Sequence, residues 1–129
     1  MRPIVMVIDD SKEIADLLSI MLKNNGYKSI TASNGSAALD YLKKGSPPAL
    51  ILTDYSMPML NGCEFIELIS AQSQYKDIPV VIVTGSAIED LKLPTTTNFK
   101  GIIQKPLKLT TVLEIVKIFT AEEDSYSSA

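Results

Sequence analysis

The stretch "IVMVIDDSKEIADLL", Ile4 to Leu18, holds a strand and the start of a helix in one breath. Ile4 to Ile8 is a continuous apolar run, the pattern of a parallel strand covered on both faces, and it runs straight into two adjacent acids, Asp9 and Asp10. Beyond them Ile14, Leu17, Leu18, Met21 and Leu22 recur at the spacing of an amphipathic helix, which Asn24, Asn25 and Gly26 stop. Neighbouring carboxylates repel, by roughly 4 kcal/mol for charges ~4 Å apart at an effective dielectric of 20. Either the two acids point apart or something in the fold offsets the repulsion.

The same unit repeats along the chain. "YKSITAS" (Tyr27 to Ser33) alternates weakly and reads as an edge strand. Gly35 to Lys44 then sets Ala38, Leu39 and Leu42 on one helical stripe, ended by Gly45, Ser46, Pro47 and Pro48. "ALILTD" (Ala49 to Asp54) is a second apolar run ending in an acid; the loop "YSMPMLNG" follows it, and Gly62 leads into a helix carrying Phe65, Ile66 and Ile69. "PVVIVTG" (Pro79 to Gly85) is the most emphatic buried strand, and "GIIQKP" (Gly101 to Pro106) reads as a fifth. Leu109, Val112, Leu113 and Val116 place a last helix on the core; Ile115 and Ile118 lie off that stripe and are read as extra burial within the monomer, with a partner surface as the second reading. Between the fourth and fifth strands Ile88 and Leu91 can start a helix. Pro94 and three β-branched threonines disfavour one, so at most about two turns are expected there, followed by irregular chain.

Five strands alternating with helices predict an α/β fold, a doubly wound parallel sheet with helices on both faces. At 129 residues the chain fits one domain, read as residues 1–121 with a solvated polar tail at 122–129. A net charge of −3 with no run of Lys or Arg leaves no electrostatic footprint for nucleic acid. Cys63 is the only cysteine, which precludes an intramolecular disulfide and reads as a buried reduced thiol. No apolar run approaches a bilayer span and no secretory leader pattern is present, so a cytoplasmic location is expected. The chain has no histidine, which excludes Ser-His-Asp and Cys-His catalysis and histidine metal sites.

In a doubly wound sheet, ligands bind beyond the carboxyl ends of the strands. Those ends present Asp9, Asp10, Asp54, Thr84 and Lys105: three acids, a hydroxyl and an amine on one rim. The acids make an oxygen-rich pocket suited to Mg²⁺, which keeps several waters and takes only one or two carboxylates together with phosphate oxygens. Asp54 can act as a nucleophile towards phosphorus, Thr84 can donate to a phosphoryl oxygen, and Lys105 can neutralise transferred charge. Asp10 has an alternative role as a helix cap, since Asp10 with Glu13 three residues on matches a capping box.

The elements "IDD", "TDYSMPMLNG", "VTG" and "QKP", each following its strand, make the chain resemble a receiver domain of the two-component response-regulator family from Ile4 to Phe119. The resemblance implies a five-stranded, flavodoxin-like sheet of order 2-1-3-4-5. It implies that Asp54 accepts a phosphoryl group from a histidine kinase or histidine phosphotransfer protein, and that Thr84 and Lys105 contact that group. It further implies Mg²⁺ held by Asp10, Asp54 and the Ser56 backbone carbonyl, with Asp9 reaching it through water, and a cis peptide before Pro106. The absence of histidine fits a donor that is another protein. Two positions depart from the family pattern: Ile102 stands where an aromatic ring is usual, and the fourth helix is interrupted. The surface these shape is the family's usual output and homodimer face. Two further readings of the residues stand beside it: a receiver-like scaffold that works without phosphorylation, and a Mg²⁺-dependent phosphohydrolase, for which Ser56 lacks the usual second acid.

Overall fold

The computed structural model describes residues 2–127, with side chains to residue 121, so the expected polar tail at 122–129 lies outside the described side chains. The elements run β1 (Ile4–Ile8), α1 (Lys12–Asn24), β2 (Lys28–Ala32), α2 (Gly35–Lys44), β3 (Leu50–Asp54), α3 (Gly62–Ser70), β4 (Val80–Thr84), a single 3-10 turn (Ile88–Asp90), β5 (Phe99–Gln104) and α4 (Leu109–Ser127). All strand pairings are parallel and the order is β2-β1-β3-β4-β5. This is the doubly wound sheet that the strand and helix rhythm predicts. Among the described residues no helix is long and apolar enough to cross a membrane.

Alternation within the strands feeds two cores, one on each face of the sheet. Met6, Ile8, Ile51, Val80 and Ile82 pack against Phe65, Ile66 and Ile69 of α3 and against α2. Val5, Val7, Leu50, Leu52, Val81 and Val83 meet Leu18, Met21 and Leu22 of α1 and Val112 and Val116 of α4. Because both faces are covered, β3 and β4 are buried along their whole length, which is why they read as unbroken apolar runs.

Several boundaries and faces differ from the sequence reading. β5 begins at Phe99 rather than Gly101, because a bulge opposite Val80 and Val81 admits Lys100 as an extra residue, and Gly101 takes φ +153° there. The N-cap of α1 is Ser11, whose hydroxyl accepts from the Ile14 amide at 3.4 Å; Asp10 is therefore not the cap. Leu17 is 47% exposed, one position round the helix from buried Leu18. Ile115 is half-buried against the α1 and α4 core as expected, but Ile118 is 65% exposed, since two residues past Val116 is about 200° round the helix.

The fourth crossover carries the short helix expected of it and little more. Its irregular part lies over the α2 and α3 face, where Leu93 joins the core and Pro94 is buried. Phe65 is fully buried at the centre of that face. Phe65→Ala is expected to lower unfolding free energy by about 3 to 5 kcal/mol, measured by urea titration as a lower midpoint at an unchanged slope.

Candidate functional site

β1 and β3 lie side by side in the middle of the sheet and end level with each other, Ile8 opposite Thr53. Their next residues are Asp9 and Asp54, so parallel pairing alone brings the two acids to one edge. Asp9, Asp10 and Asp54 each present a carboxylate oxygen, and these oxygens lie within 4.8 Å of one another. Asp9 and Asp54 are buried; Asp10 is exposed at the outer lip. Of the five residues singled out at the strand ends, the three acids come together and could hold a cation, Lys105 reaches two of them, and Thr84 lies at the end of β4.

Lys105, just past β5, answers part of the charge. Its ammonium lies 3.3 Å from Asp9 Oδ2 and 3.8 Å from Asp54 Oδ2. The Lys105-Pro106 peptide is cis, as the resemblance implied. Asp9 Oδ1 accepts from the Ser11 amide at 2.9 Å, and Asp54 Oδ1 accepts from the Tyr55 amide at 2.8 Å. Each of these two carboxylates thus has one oxygen fixed by backbone and the other turned to Lys105. Thr84 is buried at the end of β4, its hydroxyl accepting from the Ser86 amide at 3.1 Å. Ser56 is exposed in the loop after β3.

That loop is shaped by close approach. A Cβ on Gly62 would come within 2.8 Å of the Asp54 carbonyl oxygen and 3.1 Å of Tyr55 Cα, and the Gly62 amide donates to the Tyr55 carbonyl at 2.7 Å. Only glycine lets α3 start this near the end of β3. Asn61 then caps α3 in a reciprocal box with Glu64, and Met59 takes a positive φ of 69° at the exposed tip.

Burial holds the Asp54 carboxyl above its ordinary value; Lys105 and the Tyr55 amide pull it down, while Asp9 and then Asp10 push it further up. The same burial raises the Cys63 thiol, a free cysteine inside α3, which leaves it unreactive.

Sequence reasoning missed two residues here. Ser11 carried a signal, since serine directly before the periodic residues is a preferred cap. Tyr55 carried none: its phenol reaches the Lys92 backbone, 37 residues away in the chain, a contact only the folded structure discloses.

A buried acid pair with a lysine between them, at the carboxyl ends of a five-stranded parallel sheet, is the arrangement that the resemblance to receiver domains implied. A family model of the response regulator receiver domain matches residues 5–117. The two-component response regulator ARR17 of Arabidopsis thaliana is 34% identical over 125 residues, spanning 84% of this chain and 78% of that protein. A CheY homolog, a chemotaxis protein of Campylobacter jejuni, is 31% identical over 81 residues, 62% of each chain. A segment making up 15% of the CAI-1 autoinducer sensor kinase/phosphatase CqsS of Vibrio cholerae is 32% identical over 104 residues. Among solved structures, the chemotaxis response regulator CheY4 of Vibrio cholerae is similar with a TM-score of 0.80 at 28% identity, covering 92% of this chain and 99% of that one. The chain belongs to the response regulator receiver domain family.

The raised Asp54 carboxyl has a consequence for stability. The folded chain binds this proton more tightly than the unfolded chain. The contribution is therefore fully present below the ordinary value of 3.8 and is lost as pH rises through the folded value. Asp54→Asn is expected to raise Tm at pH 7 in the presence of a chelator, with the gap closing as the pH is lowered towards about 4. A variant that melts below the native chain at pH 7 would show instead that attraction to Lys105 outweighs burial.

Proposed function

We propose that this chain is a phosphorylation-operated signalling module in which Asp54 takes a phosphoryl group from a histidine kinase or histidine phosphotransfer protein. The observation that carries the reading is the rim itself: carboxylate oxygens of Asp9, Asp10 and Asp54 within 4.8 Å of one another, with the Lys105 ammonium between Asp9 and Asp54. Oδ1 of Asp54 is held by the Tyr55 amide, which leaves Oδ2, the oxygen facing Lys105, to attack phosphorus. The new O–P bond forms as the P–N bond to the donor imidazole breaks, and the electron pair stays on the donor nitrogen. Lys105 is placed to follow the negative charge onto the transferred group, and the Thr84 hydroxyl to donate to one of its oxygens.

The donor set suits Mg²⁺. Asp10 and Asp54 with the Ser56 carbonyl would hold the ion, Asp9 joining through water, and when bound it supplies positive charge against the carboxylates and the phosphoryl oxygens. The chain catalyses its own modification and turns over no outside metabolite. A cytoplasmic site of action goes with such a donor.

The α1 helix leaves Leu17 and Ile20 exposed, 47% and 58%, one turn apart on a helix whose first residues adjoin Asp9 and Asp10. We assign this face to the phosphoryl donor. The output surface lies on β5 and α4, where Ile102, Pro106, Lys108, Thr111 and Ile115 border a hollow of about 300 Å³ suited to an apolar side chain of a downstream protein.

Intact mass after incubation with acetyl phosphate tests the acceptor. A gain of one phosphoryl group that needs Mg²⁺ and is absent from Asp54→Asn is expected; no gain, together with amide resonances at Asp54 and Thr84 that ignore a beryllofluoride mimic, would overturn the reading. Ile20→Asp tests the donor face. Transfer from a protein donor should fall about tenfold or more, the loss of one interface anchor, while uptake from acetyl phosphate stays unchanged.

A further inference from the structure

The stretch between β4 and β5 lacks a full helix, and its first half is held by side-chain hydrogen bonds that begin beside the acceptor site. The Ser86 amide donates to the Thr84 hydroxyl at 3.1 Å, and Gln104 Nε2 donates to the Ser86 carbonyl at 2.7 Å. Further along, the Tyr55 phenol donates to the Lys92 carbonyl and accepts from the Lys92 amide, both at 3.1 Å. Between these anchors Ala87, Ile88, Glu89 and Asp90 are all exposed, and the only regular structure is the 3-10 turn. Little else fixes the segment.

Tyr55 is the anchor that also touches the acceptor. Its amide donates to Asp54 Oδ1 at 2.8 Å while its ring packs on the α2 and α3 face and its hydroxyl grips Lys92. Among the described residues the Gln104 side chain bonds to the Ser86 carbonyl and not to Asp54. Position 102, where the family's ring would stand, is a half-buried isoleucine with no hydroxyl to form or break a bond.

We propose that Tyr55 is the positioning residue that couples the state of Asp54 to the β4–β5 crossover through its phenol's grip on Lys92. The inference rests on Asp54 as phosphoacceptor. Phosphorylation turns the Asp54 carboxylate into an acyl phosphate, whose remaining oxygen is a neutral carbonyl and a weaker acceptor for the Tyr55 amide than an ionised oxygen. The Tyr55 backbone is then held less tightly to Asp54. The phenol sits at the end of a rigid ring on that backbone; its O–H···O bond to the Lys92 carbonyl and the N–H···O bond it accepts from the Lys92 amide, both at 3.1 Å, lie at the long end for their types, so a displacement of roughly a few tenths of an ångström opens them. The crossover is clamped in one state and released in the other.

Tyr55→Phe removes the phenol oxygen and keeps the ring in the core. Amide hydrogen exchange of the full chain, followed by NMR with Mg²⁺ alone and with Mg²⁺ and beryllofluoride, reads the coupling. In the native chain the Lys92 amide is expected to exchange roughly five to ten times faster with the mimic, the protection of one hydrogen bond. In the variant it should already be fast and change less than about twofold, while Thr84 and Gly85 still respond. A native Lys92 amide indifferent to a mimic that Asp54 and Thr84 do register would overturn the coupling alone, as would a variant crossover that responds like the native one. Silence at Asp54 and Thr84 too would remove the acceptor reading and the coupling with it. Should Tyr55→Phe fail to fold, Lys92→Pro removes the amide half of the grip and leaves the carbonyl to accept from the phenol. Leu91 is already extended, at φ −103° and ψ 141°, as a residue before proline must be, and the response at Leu91 and Leu93 should fall by at least about twofold from the native one; an undiminished response would overturn the coupling.

Discussion

One ammonium against three carboxylates is the constraint around which this molecule is arranged. Lys105 lies 3.3 Å from Asp9 and 3.8 Å from Asp54, attractions of roughly 4 to 5 kcal/mol each at an effective dielectric of 20. The carboxylate oxygens, within 4.8 Å of one another, repel by at least roughly 3.5 kcal/mol per pair on the same scale, somewhat less where exposed Asp10 is screened by water. Attraction and repulsion nearly cancel. Three negative groups and one positive leave a formal charge of −2, which a divalent cation would match and a second lysine, with a single charge, would not. The rise of the Asp54 carboxyl above its ordinary value expresses the same tension, since burial and the neighbouring acids outweigh Lys105 and the Tyr55 amide.

The sheet makes that tension unavoidable and also tolerable. Parallel pairing in the order β2-β1-β3-β4-β5 sets the ends of β1, β3, β4 and β5 along one edge, so residues far apart in the chain converge without any loop having to reach. Beneath the rim, two apolar cores fix the strands from both faces, and fully buried Met6, Ile8, Ile51 and Leu52 lie directly under the acids. Like charges can be crowded at the end of strands that have nowhere else to go. Gly62 completes the frame by letting α3 begin against the Asp54 carbonyl, where any side chain would force the end of β3 aside.

Most of this was legible in the residues. The apolar runs of β1, β3 and β4 announce a sheet covered on both faces, and acids or polar groups directly after them mark the rim. The interrupted fourth helix followed from Pro94 and its threonines, and the chain there forms one 3-10 turn. What escaped had physical reasons. The bulge that moves the start of β5 to Phe99 depends on register against β4, which local pattern does not encode. Asp10 and Ser11 compete for one cap, and only the path of the chain after Asp9 selects Ser11. Ile118 belongs to an apolar helix whose inward stripe is already filled by Val112 and Val116, so hydrophobicity alone misplaces it.

The largest gap concerns how the site speaks to the surface. A ring at position 102 would sit on β5 at the open edge of the sheet, close to Thr84, whose strand partner is Gln104. With isoleucine there, that edge can pack but cannot exchange a hydrogen bond. Tyr55 supplies a hydroxyl instead, at the end of β3 next to Asp54. Shortening the helix after β4 and shifting the hydroxyl to Tyr55 are therefore connected: a segment without its own helical hydrogen bonds needs an external clamp, and a clamp made of one phenol and one peptide group is weak enough to be released. A fully formed helix would hold itself together and be moved only as a body. A crossover tied down at Ser86 and Lys92 can open locally, which makes the shape of this surface, more than its position, the variable under control.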